Sequence, residues 1–305
     1  MNFLNKNPLT SINILMAACL FGGLTGACVL LLSWPPSQEL EAFRNTPDFV
    51  TWLFIVCILF SAIPFAFIHG LLALLHLKKK LASKNFLNII WQLLLLIVIF
   101  SVPFLFFQAF GPVFRPGEIL TLDVRTNIIT ILCGISVLPS ILGLFSLSSL
   151  ASKIRVDGES FLAEYFLLKN YLSSLIFSVS IIIGLGTLAT GGLQRALQNY
   201  ADAGFTSSPF PPVLTIVYGA YFSFILVILY FPSEVMLPKK GKLYILQHIE
   251  IPPLSSKDWS ECHEKRLKAE EWLNIMKHPL SNLSSNLVIL VPLLGGLISY
   301  LIPQS

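Results

Sequence analysis

The sequence predicts an all-α fold: a polytopic transmembrane helix bundle of about seven spans. Hydrophobic residues make up 55% of the 305 residues and charged residues only 12%, about half the charged share of a soluble protein. Several apolar runs reach the roughly 20 residues that a helix needs to cross a bilayer. These runs are continuous, whereas the strands of a β-barrel would alternate polar and apolar residues.

Each predicted span is a continuous apolar stretch between polar or charged segments. The seven spans are Ser11–Leu32, Thr51–Leu77, Phe86–Phe110, Asn127–Leu150, Tyr171–Thr190, Pro212–Phe231 and Leu283–Ile302. We therefore divide the chain into a bundle of six spans over residues 1–232, a cytoplasmic amphipathic segment over 233–282 and a C-terminal span over 283–305.

The distribution of positive charge predicts the orientation of the bundle. Lysine and arginine concentrate in cytoplasmic loops. With the N-terminus inside, sixteen of the 20 lysines and arginines fall on the inner side. The four on the outer side are Arg44, Arg115, Arg125 and Arg195. The bias predicts an N-terminus inside, a C-terminus outside and, for a bacterial chain, the inner membrane.

Three segments outside the spans have recognisable patterns. Glycines at 191 and 192 predict a break after span five, followed by a short surface helix over Leu193–Ala203. The segment Lys242–Ile251 partly alternates and is either a strand or an extension of span six. Apolar residues recur at helical spacing over Trp259–Met276, opposite a charged face. This amphipathic helix is expected to dock on the membrane surface, on the bundle or on a partner subunit.

The placement of charge also excludes several function classes. No Asp, Glu, Lys or Arg lies in the middle of a predicted span, whereas proton pumps and ion-coupled transporters usually place one there. The spans contain no His or acid cluster that would hold a metal, no paired aspartates and no Gly-x-Ser-x-Gly motif. We therefore expect no enzymatic activity, no catalytic residue, no metal and no cofactor.

Small and weakly polar residues line one face of span five. Ser173, Ser180, Gly184 and Thr187 recur at steps of three, four or seven, which places them on one side of a helix. Such a face is either a seam at which helices pack closely or the wall of a conduit. A conduit wall needs uncharged polar groups, because ions have to leave as easily as they enter.

Three further residues are candidates for lining a path. Asn88 and Gln92 lie four residues apart in span three, and His69 lies in span two. Amides within a bilayer either join helices or line a wet path, for which this pair would form the cytoplasmic mouth. His69 is either a hydrogen-bonded structural residue or a pore-lining or pH-sensing one.

Six lysines on the inner side are candidates for binding an anionic cytoplasmic ligand, such as a nucleotide. They are Lys78, Lys79, Lys80, Lys239, Lys240 and Lys242. Neutralising phosphates would supply the affinity of such a site. The same lysines also satisfy the positive-inside rule and would attract anionic lipid headgroups.

Two stretches near the C-terminus resemble a known group of proteins. Trp272–Pro303 resembles the last span of uncharacterised bacterial multipass inner-membrane proteins, and Val217–Lys242 is similar to the span that precedes it. Some proteins of this type are pore-forming effectors of anti-phage defence systems, which depolarise the cell. The resemblance implies the same setting for this chain.

The sequence therefore favours an oligomeric channel-forming membrane protein that is gated from the cytoplasmic side. Its expected partners are the lipid bilayer, further copies of the chain, and a cytoplasmic regulatory protein or nucleotide. Two alternatives remain open. One is a transporter of a neutral or lipophilic substrate, which needs no intramembrane charge. The other is a structural subunit whose helix over Trp259–Met276 recruits a cytoplasmic partner.

Overall fold

The computed structural model describes most of the chain, and the regular structure in this part is helical. The described residues are 8–31, 41, 43–81, 89, 91, 94, 98, 122–156, 160–202, 211–249, 258–273, 275 and 287–301. Their helices are α1 (Pro8–Leu31), α2 (Pro47–Lys78), α3 (Leu122–Lys153), α4 (Phe161–Asp202), α5 (Val213–His248), α6 (Trp259–Trp272) and α7 (Val291–Leu301). A 3₁₀ turn, Val288–Leu290, directly precedes α7.

Four of these helices are long and apolar enough to cross a membrane, which confirms the predicted all-α bundle. They are α2, α3 from Arg125 onwards, α4 to Asn199, and α5. Leu15–Leu31 and Val288–Leu301 are shorter apolar helices. The predicted third span, Phe86–Phe110, lies outside the described residues apart from positions 89, 91, 94 and 98.

Helix α4 is the centre of the bundle. It packs against α2, α3, α5 and α7, while α1 packs on the far side of α2. Leu172, Leu175 and Val179 of α4 are almost completely buried. The outward faces of the surrounding helices are apolar as well, as Phe54 and Phe224 illustrate with exposed fractions of 67% and 63%. In a membrane, lipid would cover these faces, so the apolar character of the chain serves both its core and its surface.

Two polar contacts join helix termini at one end of the bundle, which we name the outer end. The Asn199 amide in the last turns of α4 donates a hydrogen bond to the Asp48 carboxylate in the first turn of α2. The Arg195 guanidinium of α4 donates to the Ser299 carbonyl near the end of α7. The C-termini of α4 and α7 therefore lie beside the N-terminus of α2.

Lysine contacts join the termini at the opposite end, which we name the basic end. Lys80 follows α2 and forms an ion pair with Glu164 in the first turn of α4, with 3.2 Å between Nζ and Oε1. Lys240 Nζ of α5 donates to the Ile154 carbonyl just after α3, at 3.2 Å. The C-termini of α2, α3 and α5 therefore lie at the same end as the N-terminus of α4.

The start of α3 lies at the outer end, because Arg125 is close enough to Arg44, which precedes the N-terminus of α2, for the charge of Arg44 to act on it; its guanidinium donates to the Val29 carbonyl of α1. Helix α2 thus ends at the basic end and α3 begins at the outer end.

Two predictions about helix ends are settled by α4 and α5. The prediction of a separate surface helix over Leu193–Ala203 was wrong, because α4 continues through Gly191 and Gly192 to Asp202. These glycines make room for neighbouring helices instead of ending one. The alternative that Lys242–Ile251 extends span six is confirmed as far as His248, since α5 runs through Pro232 into this segment.

Candidate functional site: a polar row along α4

His69 of α2 forms the best-defined polar cluster within the bundle. Its Nε2 lies 2.8 Å from Ser174 Oγ and its Nδ1 lies 3.1 Å from Ser178 Oγ. Ser178 Oγ also donates to the Ser174 carbonyl at 3.0 Å. The Phe65 ring stacks on the imidazole, with 5.7 Å between centroids. Both ring nitrogens therefore have partners on α4.

The two serine contacts fit either neutral tautomer of His69, because each serine hydroxyl can donate or accept a hydrogen bond. They give both ring nitrogens a polar partner within an apolar bundle, without an acidic residue.

A close approach between α2 and α3 lies one residue further along α2. A Cβ on Gly70 would lie 2.2 Å from Ser140 Oγ and 2.8 Å from the Ser140 nitrogen. Ser140 Oγ is buried and has no hydrogen-bond partner among the described residues. Three helices thus contribute polar groups at the level of His69.

The Ser174–His69 distance matches that of a nucleophile and its general base, but the surroundings of Ser174 do not suit acyl transfer. Ser174 lies within the continuous helix α4, where the neighbouring backbone N–H groups bond to carbonyls of the same helix. An oxyanion hole needs N–H groups that are not bonded in this way. The cluster is suited to joining two helices.

A second set of polar side chains on α4 lies at steps of seven residues. Ser180, Thr187 and Gln194 are all buried, and this spacing places them on nearly the same side of α4. The Thr187 hydroxyl donates to the Ile183 carbonyl of its own helix at 2.9 Å. Ser180 Oγ and Gln194 Nε2 have no partner among the described residues. We name these three residues the polar row; Ser174 and Ser178 lie on a different side of α4, which faces His69 of α2.

Helix α7 packs directly against the predicted small face of α4. A Cβ on Gly184 would lie 2.4 Å from a methyl carbon of Val291, and one on Gly295 would lie 2.8 Å from the Gly184 carbonyl oxygen. A Cβ on Gly191 would lie 2.2 Å from Ser299 Oγ. The small residues of this face therefore allow two backbones to approach closely.

The predicted path-lining residues have different environments. Ser180, Gly184 and Thr187 are buried beside other helices, Ser173 is exposed and His69 is half-buried. Asn88 and Gln92 lie outside the described residues. Whether any of them lines a conduit stays a prediction.

The contacts between α5 and α7 were not predicted from the sequence. A Cβ on Gly219 would lie 2.5 Å from the Pro292 carbonyl oxygen, and one on Gly296 would lie 2.5 Å from the Thr215 carbonyl oxygen. The Leu293 N–H donates to Ser223 Oγ at 3.2 Å. The adjacent glycines of α7 were the available signal, because such pairs mark close contacts on two sides of a membrane helix.

The C-terminal end of α6 is attached to the basic end of α4. The Leu273 carbonyl accepts hydrogen bonds from the Tyr165 hydroxyl at 3.1 Å and from Lys169 Nζ at 3.0 Å. Trp272 packs edge-on against Phe166, with 4.9 Å between ring centroids. None of the residues of α6 itself is buried. Of the docking sites considered for this helix, contact with the bundle is the one observed.

The six candidate lysines occupy two separate places. Lys78–Lys80 lie at the end of α2, where Lys80 pairs with Glu164. Lys239–Lys242 lie on α5, where Lys240 bonds to the carbonyl of Ile154, directly after α3.

Together, the apolar spans, the lipid-facing surface and the buried polar row define a multi-pass helical membrane protein. Comparisons of the chain with protein-family models, with curated proteins and with solved structures find no significant match. The resemblance of the last two spans to bacterial multipass proteins therefore stays an expectation.

Proposed function

We propose that the chain is a channel-forming membrane protein whose path follows the polar row of α4 and whose opening is controlled by α6 at the cytoplasmic side. The observation that carries this proposal is the polar row itself: buried hydroxyl and amide groups recur at steps of seven residues from Ser180 to Gln194 along one side of α4, in an otherwise apolar bundle.

The cost of burying these groups supports a functional role for them. A buried hydroxyl or amide without a hydrogen-bond partner costs about 1–3 kcal/mol. Ser180 Oγ and Gln194 Nε2 are buried without a hydrogen-bond partner among the described residues. Alanine or leucine would pack at these two positions without that cost. Water or a permeating ion would supply their partners in an open conformation. Because the groups are uncharged, they would not trap the ion.

Control from the cytoplasmic side is supported by the continuity of α4. The helix carries Tyr165 and Lys169, which hold α6, and it also carries the whole polar row. A cytoplasmic protein or nucleotide that displaced α6 would therefore act on the helix that lines the path. Assembly from several copies in a bacterial inner membrane and a role in anti-phage depolarisation are parts of the same proposal, suggested by the resemblance of the last two spans.

The test is single-channel recording from the purified chain in planar bilayers. We expect discrete conductance steps, with a lower unitary conductance for Ser180→Ala and Thr187→Val, which remove hydroxyls with little change in shape. Thr130→Val is the matched control, because Thr130 is exposed on a different helix, α3, and its hydroxyl donates to the Thr126 carbonyl of that helix; it should leave the conductance unchanged. A silent wild-type protein, or equal effects of all three variants, would overturn the proposal.

A transporter of a neutral or lipophilic substrate is the second candidate, and the burial of the row favours it. Ser180, Thr187 and Gln194 lie inside a single chain, so a binding site would need no second copy. Saturable uptake into liposomes without conductance steps would establish this alternative. Conductance steps whose current rises linearly with ion concentration would exclude it.

A further inference from the structure

We infer that the basic end carries a binding site for the phosphate headgroup of an anionic phospholipid, between the end of α3 and the middle of α5. Lys153, Arg155 and Lys239 would bind the headgroup, and Lys240 would position the two helices. This site is independent of the proposed channel.

The contact between Lys240 and Ile154 brings these cations together. Lys240 Nζ lies 3.2 Å from the Ile154 carbonyl oxygen. Lys153 and Arg155 are the chain neighbours of Ile154, and Lys239 is the neighbour of Lys240. Four positive charges from two helices are therefore concentrated around one backbone contact.

None of these four cations forms an ion pair in the part of the chain that the structure describes; the carboxylate that precedes them on α5, Glu234, acts on Tyr165. The ion pairs of that part involve Lys80, Lys265, Lys268 and Arg266. The partial negative charge at the C-terminus of α3 compensates for only about half an elementary charge. A bound anion would relieve the remaining repulsion among Lys153, Arg155 and Lys239, all of which are exposed.

The position of the cations relative to the apolar surface favours a lipid over a soluble phosphate. Val235 and Met236 lie one turn before Lys239 and are 42% and 38% exposed, and the exposed Phe231 lies one turn before them. An acyl chain would contact this surface while its headgroup reached the lysines, an arrangement typical of basic sites between membrane helices.

The lysines Lys78–Lys80 differ from this site in their charge balance. That group also lies at the basic end, but Lys80 already has Glu164 as a partner at 3.2 Å. We therefore expect the α3–α5 site to bind the headgroup more tightly than the end of α2.

The experiment measures the thermal stability of the purified full chain in an uncharged detergent during titration with phosphatidylglycerol or phosphatidylcholine. We expect phosphatidylglycerol alone to raise the Tm, with an effect that weakens as salt is added. Removing three cations should weaken binding on the order of a hundredfold, at about fivefold for each cation.

The test variant is Lys153→Gln/Arg155→Gln/Lys239→Gln, and the matched control is Lys78→Gln/Lys79→Gln/Lys80→Gln, which removes the same charge from the same end. A second variant, Lys153→Arg/Lys239→Arg, keeps both positive charges and should bind the lipid as the wild type does. This result would show that the two positions tolerate substitution. The inference is overturned if the wild-type chain shows no shift, if the test variant keeps the full shift, or if the control loses it equally. Inorganic phosphate or glycerol phosphate reproducing the shift without lipid would also overturn it, in favour of a soluble ligand.

Discussion

Replacing Gly296 with alanine tests the close packing of α7 directly. Gly296 is buried against α5, and a Cβ there would lie 2.5 Å from the Thr215 carbonyl oxygen and 3.1 Å from the Ile216 Cα. Both neighbours are backbone atoms of a helix, so no side-chain rotation can make space. The substitution has to push α7 and α5 apart.

The cost follows from the size of that movement. A carbon and a carbonyl oxygen in ordinary contact lie about 3.3 Å apart, so the two helices have to separate locally by roughly 0.8 Å. Overpacking of this kind costs about 1–3 kcal/mol. The separation would also lengthen the hydrogen bond from the Leu293 N–H to Ser223 Oγ, now 3.2 Å, which is worth about 0.5–1.5 kcal/mol. The higher helix propensity of alanine offsets about 1 kcal/mol of this cost, so we expect a net loss of stability of about 0.5–3.5 kcal/mol.

Gly186→Ala is the matched control for this substitution. No described atom lies within 4 Å of the position that a Cβ on Gly186 would occupy. This variant should gain about 1 kcal/mol from helix propensity alone. The unfolding free energies of the two variants should therefore differ by about 1.5–4.5 kcal/mol.

Reversible unfolding of the purified chain in mixed micelles would measure this difference. We expect Gly296→Ala to unfold at a lower denaturant concentration than the wild type, and Gly186→Ala at a higher one. If Gly296→Ala proved at least as stable as Gly186→Ala, the close approach of α7 to α5 would be refuted.

Three further predictions concern α6 and the outer end. Tyr165→Phe removes a hydroxyl that donates to the Leu273 carbonyl; it should weaken the attachment of α6 by about 1 kcal/mol and speed tryptic cleavage there, whereas an unchanged rate would contradict this contact. The hydrogen bond from Lys265 lowers the pKa of Glu261 below its ordinary value. The ionised Glu261 carboxylate therefore stabilises α6 fully when the pH is above its unfolded-state pKa. This stabilisation is lost as the pH falls through the lower folded-state pKa. The protection factors of the α6 amides, corrected for the intrinsic pH dependence of exchange, should accordingly fall as the pH drops below the ordinary pKa of a glutamate, and Lys265→Gln should reduce this dependence. Arg195→Ala removes a donor to a carbonyl near the end of α7 and should speed exchange in the last turn of α7, while equal protection in both proteins would show that the contact contributes nothing.

Periodicity and hydropathy predict which segments are helices, because each span carries this information in its own residues. The predicted span Thr51–Leu77 closely matches α2, and Tyr171–Thr190 lies within α4. The pairing of helices is different, because it depends on residues far apart in the chain. The face carrying Ser174 and Ser178 is evident from a spacing of four, but nothing in either segment indicates that His69 meets it.

Glycine and proline residues, which usually mark helix ends, do not end the helices within this bundle. Gly191 and Gly192 predict a break in a water-exposed segment, yet in α4 they give room to Ser299 and Trp52. Likewise, α5 continues through Pro232 and Pro238, because a helix surrounded by other helices tolerates the loss of a backbone donor.

The length of α4 also has a mechanical consequence. Its 42 residues make a rod of about 63 Å, roughly twice the thickness of the hydrocarbon core. A tilt of about 10° around its midpoint would move each tip by roughly 5 Å, about the pitch of one helical turn. Leu273 is fastened near one tip and Asp48 near the other, so α4 would act as a lever. A sideways displacement of about 5 Å at the basic end would therefore reach the outer end as a displacement of the same size in the opposite direction.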